Sequence, residues 1–338
     1  MAMQDAEIER AWKAAHLSPL WQSPTAHKPP PPPDPSQHWS WAALQPLLQG
    51  AMKITSPEAV ERRVLLLLGG VPRGPDDEAT VRSLSAGIQM LLPGERARPH
   101  RHTMNALRFV LSGSGATTLV DGKECVMEVG DLILTPAWTW HEHVHQGQEP
   151  VLWLDVLDVP LHLWFGNVAF QPGPINDAPM TVPDAAFSAS GISPVLQVGR
   201  PYSPLFRYSY ADAARAVAHA PAMADGSRQV RYANPLTGGS AMCLMDASLM
   251  RIEKGRRTLP FKTNANAVCC VVKLSLKSQI GDKSFRWNAN DIFTLPQHNV
   301  ITHTALSQQA DILVVSDRDA LSRLGILKEE ICNEDAHG

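Results

Sequence analysis

Short apolar segments bounded by Gly, Pro or Asp dominate residues 83–158. Ile88, Met90 and Leu92 recur at every second position, which is the period of a β-strand. Further segments of this kind are 107–111, 116–120, 132–135 and 151–154. Asp121-Gly122 predicts a two-residue hairpin turn between two of them. Several short strands at this spacing predict a β-sandwich or barrel.

A second β-rich block follows after residue 240. Its predicted strands are 247–252, 267–276, 285–287, 292–295 and 312–315. Two β-rich blocks of about 75 residues each predict a duplicated β-domain.

Helical patterns lie outside the two blocks. Ile8, Trp12, Ala15 and Leu17 recur at roughly helical spacing and predict a helix within the first twenty residues. Shorter helices are predicted over 212–219 and 321–331. A further helix is predicted over 55–68, because Thr55 and Glu58 form a capping box and Pro57 stands near the first helical position. Residues 61–63 are expected on this helix or on a strand after it.

Five consecutive prolines occupy positions 29–33. Such a run is extended polyproline and predicts a stiff connector or arm. The alternative is a ligand segment for an SH3-type domain. The chain is thus expected to divide into an amino-terminal helical and Pro-rich arm (1–82), a first β-domain (83–160), a loop-rich linker (161–240) and a second β-domain with a carboxy-terminal helix (241–338).

Charge and composition exclude several classes of protein. The 338 residues carry 30 basic and 33 acidic side chains, a balance that argues against nucleic acid as the main partner. No apolar run approaches about 18 residues, so a transmembrane helix is not expected, and the polar start does not resemble a signal peptide. Five scattered cysteines without a CxxC pair favour reduced thiols and a cytoplasmic location.

Histidines carry the sharpest chemical signal. His100 and His102 stand at i and i+2, as do His141 and His143 about thirty residues later. Because side chains two residues apart point to one side of a strand, such pairs converge inside a barrel. Three imidazoles form a metal site that leaves positions open for substrate and oxygen. The alternative is a set of surface histidines or of histidines satisfied within the core.

The same residues carry a family resemblance. His100-Arg101-His102-Thr103, Ala106-Leu107-Arg108-Phe109, Gly113-Ser114-Gly115-Ala116 and the segment 136–143 resemble the motifs of the bicupin gentisate, salicylate and 1-hydroxy-2-naphthoate 1,2-dioxygenases, within the cupin superfamily. The close similarity covers residues 55–158. It implies a mainly β fold of two double-stranded β-helix (jelly-roll) barrels with the amino-terminal arm, and a homotetramer.

The resemblance also implies a cofactor, one Fe(II) in the first cupin. His100, His102 and His141 would hold it. The glutamate that is a fourth ligand in many cupins would fall at Ala106 and is absent. Three neutral ligands leave the iron its full charge, which suits an anionic chelating substrate.

The second β-block lacks the matching ligands. Phe261 and Thr263 stand at the positions of the first two histidines, and Ile301 at that of the third. These side chains cannot assemble an iron site, so the second cupin is expected to be metal-free and structural. His298 and His303 remain nearby as the elements of a rival site.

Substrate contacts are expected around the histidines. Arg108 lies six residues after His102 and is predicted on the same face of an extended strand, where its guanidinium could grip a carboxylate. In the resembling enzymes the matching arginine does this together with the histidine at position 143. The alternatives are a surface salt bridge for Arg108 and mere exposure for His143.

Further pocket positions follow from the resemblance. They are Gly87 and Gln89, which would line the pocket, Arg63 as a pocket arginine, and Asp155 as an acid near the far edge of the substrate ring. The alternatives are ordinary strand alternation, a solvated helix face and a structural ion pair.

Two positions concern specificity. Ser85 stands where the resembling gentisate enzymes usually carry an aromatic residue, which favours a substituted salicylate, such as a halo- or nitrosalicylate, or a two-ring hydroxy acid. Trp138, with Trp140, could form an aromatic wall, although core packing is an alternative.

The leading hypothesis is therefore an Fe(II) dioxygenase that opens an ortho-hydroxy aromatic acid with O₂ between the carboxyl- and hydroxyl-bearing carbons. Gentisate, salicylate and 5-substituted salicylates are the candidate substrates, and 1-hydroxy-2-naphthoate is an alternative. Two other classes remain: another metal cupin, such as a sugar isomerase, and a non-catalytic ligand-binding cupin. Arg108 and Ala106 argue against the first, and the intact histidine set argues against the second.

Overall fold

The computed structural model describes residues 2–23, 33–70, 77–174, 181–189, 192–195, 200–306 and 308–332. The chain forms two compact units, Met1–Pro33 and Asp34–Gly338. In the first, helix α1 spans Ala2–Ala14, as the apolar spacing predicted, and a single 3-10 turn follows at Leu20–Gln22. The proline run predicted to be a stiff connector lies outside the described residues, apart from Pro33.

The second unit carries the remaining elements. Its helices are α2 (Trp41–Ile54), α3 (Pro57–Val60), α4 (Val159–Phe165), α5 (Tyr210–His219) and α6 (Arg318–Arg323). Its strands up to residue 208 are β1 (His38–Trp39), β2 (Val64–Leu66), β3 (Ser85–Leu91), β4 (Arg96–His102), β5 (Ala106–Ser112), β6 (Ala116–Val120), β7 (Lys123–Val126), β8 (Leu132–Thr135), β9 (His141–His145), β10 (Val151–Leu157), β11 (Phe170–Pro172) and β12 (Arg207–Tyr208).

The strands after residue 208 repeat this series. They are β13 (Arg228–Arg231), β14 (Asp246–Glu253), β15 (Phe261–Thr263), β16 (Ala267–Lys273), β17 (Leu276–Ile280), β18 (Lys283–Trp287), β19 (Ile292–Leu295), β20 (Val300–Ala305), β21 (Gln309–Ser316) and β22 (Glu329–Ile331). No helix in the described parts of the chain is long and apolar enough to cross a membrane.

Two pairs of antiparallel sheets form two barrels. Sheet A has the order β12-β8-β5-β10-β3-β2 and sheet B the order β11-β4-β9-β6-β7. In the second barrel, sheet C has the order β1-β19-β16-β21-β14-β13 and sheet D the order β18-β17-β20-β15-β22. The bicupin architecture expected from the resemblance is confirmed.

The two barrels share one hydrophobic core. Met90 and Phe109 of sheet A belong to the same buried cluster as Leu249, Val268 and Cys270 of sheet C. Because both faces of β3 are covered, all seven of its residues are buried. A polar side chain on β3 therefore needs a partner inside the protein. The interior of the second barrel forms a cluster of its own.

A buried amide–carboxylate pair is repeated in both barrels and supports the predicted duplication. Asn105 donates from its Nδ2 to Asp158 Oδ2 over 2.7 Å, while its backbone N–H donates to Asp158 Oδ1. Asn266 makes the same two bonds to Asp317. Each pair ties the turn before β5 or β16 to the end of the neighbouring strand, and thereby fixes the mouth of its barrel.

Strands from outside the predicted domain bounds complete both barrels. β1 pairs with β19 of the second barrel, and β12 pairs with β8 of the first. Gln37 reinforces β1, since its backbone N–H donates to Thr294 Oγ1 over 2.8 Å. The bounds at residues 82, 160 and 240 stay a prediction.

Asp121-Gly122 forms the predicted hairpin, with Val120 opposite Lys123 and positive φ at both turn residues.

The predicted helix over 55–68 is wrong: only Pro57–Val60 is helical, and 64–66 forms β2. Glu61, at φ +61°, ends the helix because a residue with positive φ cannot continue a right-handed helix.

Three other element predictions need correction. The helix over 321–331 is α6, which ends at Arg323, and Glu329–Ile331 is a strand. The strand over 267–276 is two strands, separated by Leu274 at φ +65°. Helix α2 was missed because it contains Pro46, although Ser40 caps it through a bond from the Ala43 backbone N–H.

Candidate metal centre

Three histidines from two neighbouring strands of sheet B converge inside the first barrel. β4 supplies His100 and His102, β9 supplies His141, and His100 lies directly opposite His141 in the register. All three are buried, and their ligating nitrogens lie within 4.8 Å of one another. Among the described residues this is the single group of His, Cys, Asp or Glu side chains suited to a metal ion.

Backbone carbonyls set the tautomer of each imidazole. His100 Nδ1 donates to the Arg98 carbonyl over 2.8 Å, His102 Nδ1 to that of Met104 over 2.8 Å, and His141 Nδ1 to that of Thr139 over 3.0 Å. A proton on Nδ1 leaves the lone pair on Nε2. All three Nε2 atoms are buried and make no hydrogen bond within the described chain. Three unpartnered acceptors aimed at one point fit a metal ion.

The histidines are held neutral, as metal ligands must be. Burial, followed by the charge of Arg62, lowers the pKa of His100 to about 4 and that of His102 to about 3. Burial also lowers the pKa of His141 well below its ordinary value. At neutral pH the lone pairs are therefore available without competition from a proton.

His143 extends the cluster deeper into the barrel. Its ring lies edge-on to His141, with centroids 6.2 Å apart, and against Trp153 at 5.0 Å. Thr118 Oγ1 lies 2.9 Å from its Nδ1, and its buried Nε2 has no hydrogen-bond partner among the residues described. Burial, then the charge of Arg108, lowers its pKa well below the ordinary value. His143 is thus a neutral, buried imidazole whose Nε2 is available to a ligand.

Arg108 faces the histidines from the opposite sheet. The prediction that it shares one extended strand with His102 is wrong, because a turn separates β4 in sheet B from β5 in sheet A. Its Nε lies 3.1 Å from Asp155 Oδ1, an ion pair not aligned as a hydrogen bond. Its Nη1 donates to Thr135 Oγ1. Burial lowers the pKa of Arg108 and raises that of Asp155, and the pair opposes both shifts.

Strand β3 places its odd-numbered residues on the same face as Arg108. Gly87 lies opposite Asp155, and Gln89 lies opposite Trp153. Gln89 Nε2 is buried and unpartnered within the described chain, so it can serve as a donor in the pocket. Ser85 is buried on the same face.

Packing explains the glycine at position 87. A Cβ atom there would lie 2.7 Å from Val64 Cγ1 and 3.1 Å from the Leu65 carbonyl oxygen. Any side chain would therefore push β2 away from β3, whether or not a ligand occupies the barrel.

Arg63, predicted as a pocket arginine, pairs with Glu95, and its neighbour Arg62 lies beside the histidines. Arg63 is buried away from the histidines and grips Glu95, with Nη1 3.0 Å from Oε1, while it also donates to the Thr55 carbonyl. Arg62 lies with its guanidinium carbon 5.7 Å from the Phe170 ring centre, and that ring stacks on His100 at 5.3 Å. The charge of Arg62 lowers the pKa of two of the metal-site histidines, so Arg62 is the residue that the sequence analysis missed.

Trp138 lies outside this group. Its side chain is 43% exposed, and its ring carries the guanidinium of Arg101 at 4.8 Å. The Trp140 ring centre lies 4.6 Å from the same guanidinium carbon. Since Arg101 stands between two of the histidines on β4, this stack braces the strand from outside the barrel.

In the second barrel the corresponding ligand positions are apolar or hydroxylic. Phe261 lies opposite Ile301, as His100 lies opposite His141, and Thr263 follows two residues later on β15. His303 repeats the place of His143, since Ser278 lies opposite it as Thr118 lies opposite His143. His298 and His303 are in no cluster suited to a metal ion within the described residues.

Comparison with known proteins agrees with this geometry. A cupin domain model matches residues 87–157. A gentisate 1,2-dioxygenase of Ralstonia sp. is 35% identical over 94% of this chain and 91% of its own length. A second one, from Aquipseudomonas alcaligenes, is 34% identical over 86% of this chain and 85% of its own length. The chain belongs to the gentisate 1,2-dioxygenase family.

A solved relative matches the gentisate 1,2-dioxygenase fold over almost the whole chain. It is a variant of the salicylate 1,2-dioxygenase of Pseudoaminobacter salicylatoxidans in complex with gentisate, with a TM-score of 0.89 and 25% identity over 98% of this chain and 96% of that one. The predicted family and the predicted class of enzyme, a ring-cleaving 1,2-dioxygenase, are confirmed. The sugar-isomerase and non-catalytic hypotheses lose their support.

Proposed function

We propose that this protein is an Fe(II)-dependent dioxygenase that opens an ortho-hydroxy aromatic acid between its carboxyl- and hydroxyl-bearing carbons. Both oxygen atoms of O₂ enter the product. The observation that carries the proposal is the set of three buried, unpartnered Nε2 atoms in a barrel that also holds a buried arginine.

Iron fits the donor set. Three neutral imidazoles on one side suit Fe(II) and leave positions for further ligands. Bound there, Fe(II) would supply the binding and activation of dioxygen and of the chelating substrate oxygens. The protein's part is to hold the acid, orient its ring and exclude water.

Two arginines provide the field that attracts the substrate carboxylate. Arg108 is committed to Asp155 and Thr135, which fix its guanidinium beside the histidines. No ion pair of Arg62 occurs within the described chain, so its guanidinium is available at the Phe170 side of the site. We assign the carboxylate to these two residues, and no direct role to Arg63.

Two neutral groups are placed to bind the substrate's polar edge. His143 Nε2 and Gln89 Nε2 are both buried without a partner in the described chain. A buried polar group left unpaired costs roughly 1–3 kcal/mol, so both favour a bound ligand that restores the missing bond. Asp155 supports Arg108, and its contact with the substrate ring remains part of the proposal.

The substrate is a salicylate-type acid. Ser85 is small, and gentisate, salicylate, 5-substituted salicylates such as nitrosalicylate, and 1-hydroxy-2-naphthoate all present the required carboxylate beside a hydroxyl. Gly87 allows β2 to close over this face. Trp138 is stacked on Arg101 and is proposed to brace β4 rather than to wall the pocket.

Oxygen consumption by iron-loaded protein tests the proposal. We expect uptake with at least one acid of the panel, about one iron per chain, and loss of both in His100→Ala. His219→Ala, at the exposed end of α5, is the matched control and keeps both. Full iron occupancy without oxygen uptake on any acid of the panel would refute the substrate class, and unchanged iron in His100→Ala would refute the site.

We also propose assembly into a homotetramer and a cytoplasmic location. Helix α4 exposes Leu163, Trp164 and Phe165, with Trp164 80% exposed, a surface suited to a second copy of the chain. All five cysteines are free thiols, which suits a reducing compartment. Sedimentation velocity tests the homotetramer. A monomer at micromolar concentration would contradict it.

A further inference from the structure

A cavity of about 590 Å³ opens into the second barrel. It lies where the metal centre lies in the first barrel, because Phe261, Ile301 and His303 line it from the positions that correspond to His100, His141 and His143. The rest of that barrel is filled by a separate core around Trp287 and Phe293. At the positions that carry histidines in the first barrel, the second barrel thus has room that no described side chain fills.

The size and the walls of the cavity suit a small organic molecule. Pockets for such ligands measure about 300–1,000 Å³ and are mostly apolar, with a few polar groups that fix orientation. The apolar walls here are Met250, Leu259, Phe261, Leu295, Ile301 and Val314.

One buried acid in this cavity has an unused acceptor. Asp246 is 7% exposed, and its Oδ1 has no hydrogen-bond partner within the described residues. Its Oδ2 lies 3.1 Å from Arg231 Nη2 and 3.6 Å from Arg318 Nη1. The Ser240 side chain lies beside this carboxylate without an aligned bond to Oδ1, so Oδ1 can accept from a donor that enters the cavity.

Arg231 is the matching unused donor. Arg318 is already engaged, because it donates to the Glu329 carboxylate from Nε over 2.9 Å and from Nη2 over 2.7 Å. Arg231 has its single ion pair, among the described residues, with Asp246 through Nη2. The remaining N–H groups of its guanidinium can bind a carboxylate in the forked geometry typical of arginine.

We propose that this cavity is a second, metal-free binding site for a small aromatic acid that carries a hydroxyl group. The ring packs on Phe261, Leu295 and Val314, the carboxylate lies on Arg231, and the hydroxyl donates to Asp246 Oδ1. A purely apolar ligand would leave both polar groups unpaired. A phosphate dianion would bring a larger negative charge to Arg231 beside Asp246 and no apolar ring for the cavity wall. The site does not depend on the proposed chemistry of the first barrel.

Fluorine NMR of 5-fluorosalicylate with the full-length protein counts the sites. Without oxygen there is no turnover, so we expect two bound signals from iron-loaded protein. His100→Ala should lose the signal of the first barrel and keep the other. Because the measurement needs neither iron nor oxygen uptake for the second signal, failure of the proposed dioxygenase activity would leave this result standing.

Two variants locate the second signal. Val314→Phe fills the cavity and should abolish it, while Arg231→Gln should weaken it by about tenfold, the usual effect of losing one charge-assisted bond. Arg215→Gln, on the exposed face of α5, is the matched control and leaves it unchanged. If Val314→Phe does not fold, Arg231→Gln decides alone. Absence of any bound signal from His100→Ala, or a bound signal in that variant that Arg231→Gln leaves at full affinity, overturns the proposal.

Discussion

At the scale of single residues, the site depends on where protons and charges are fixed. Three carbonyls hold the Nδ1 protons of the ligand histidines, so each presents Nε2 to the barrel interior. Burial keeps the imidazoles neutral. Arg108 on β5 and Arg62 in the bend before β2 face this group, which places positive charge beside three neutral imidazoles.

Arg108→Lys keeps the positive charge but removes the guanidinium, and so tests whether its several parallel hydrogen bonds matter. We expect KM for the aromatic acid to rise about tenfold or more, because lysine cannot donate in parallel to Asp155, Thr135 and a carboxylate. Iron content should be unchanged. Arg207→Lys, in the ion pair with Asp131 on the same sheet, is the matched control. Steady-state kinetics with an unchanged KM would remove Arg108 from substrate binding.

The buried His303 is expected to lower the free energy of unfolding in acid. Burial lowers its pKa from 6.5 to about 4. Between these values the unfolded chain takes up a proton that the folded chain does not, so the free energy of unfolding falls as the pH falls through this window. The full loss is about 3 kcal/mol and is absent above pH 6.5 or so.

Urea unfolding at a series of pH values measures this effect. His303→Asn retains a partner for Ser278 but cannot titrate, so its stability should decline less than that of the wild type below about pH 6. The exposed His219→Asn should follow the wild type. Parallel pH profiles for His303→Asn and wild type would contradict the assignment.

At the scale of elements, the contact of β2 with β3 depends on one missing side chain. Gly87→Ala should lower the free energy of unfolding by about 1–3 kcal/mol, because the new Cβ meets Val64 Cγ1 at 2.7 Å. Gly87→Ala/Val64→Ala should lose less than the sum of the two single variants, since the clashing methyl is gone. Strict additivity in urea unfolding would show that Gly87 serves something other than this packing.

At the scale of the whole molecule, neither barrel is complete within its predicted bounds. A fragment of residues 83–160 lacks β2, β11 and β12, and the shared core with sheet C. We expect it to remain unfolded by circular dichroism and to bind no iron. A fragment of residues 34–338 matches the second compact unit and should keep iron and a cooperative thermal transition. A folded, iron-binding 83–160 fragment would show that the borrowed strands are dispensable.

Sequence reasoning succeeded where the signal is local. The hairpin at Asp121-Gly122 and the paired histidines follow from turn chemistry and from strand alternation. It failed where a single backbone angle changes the register: Glu61, at φ +61°, ends the predicted helix and decides which of the two following arginines faces the site. It also missed α2, whose Pro46 is tolerated within the helix.

The sequence by itself determined the paired histidines, the duplication, the residues Phe261, Thr263 and Ile301 at the matching positions of the second barrel, and the family. These depend on residue type and on the two-residue period of a strand, which are properties of a short segment. The tertiary structure decided which side chains meet across the barrel. Arg108 reaches the histidines from the opposite sheet, Arg62 lies beside them while Arg63 pairs with Glu95, and the second barrel keeps a cavity. Sheet pairing joins residues far apart in the chain, and no local period records it.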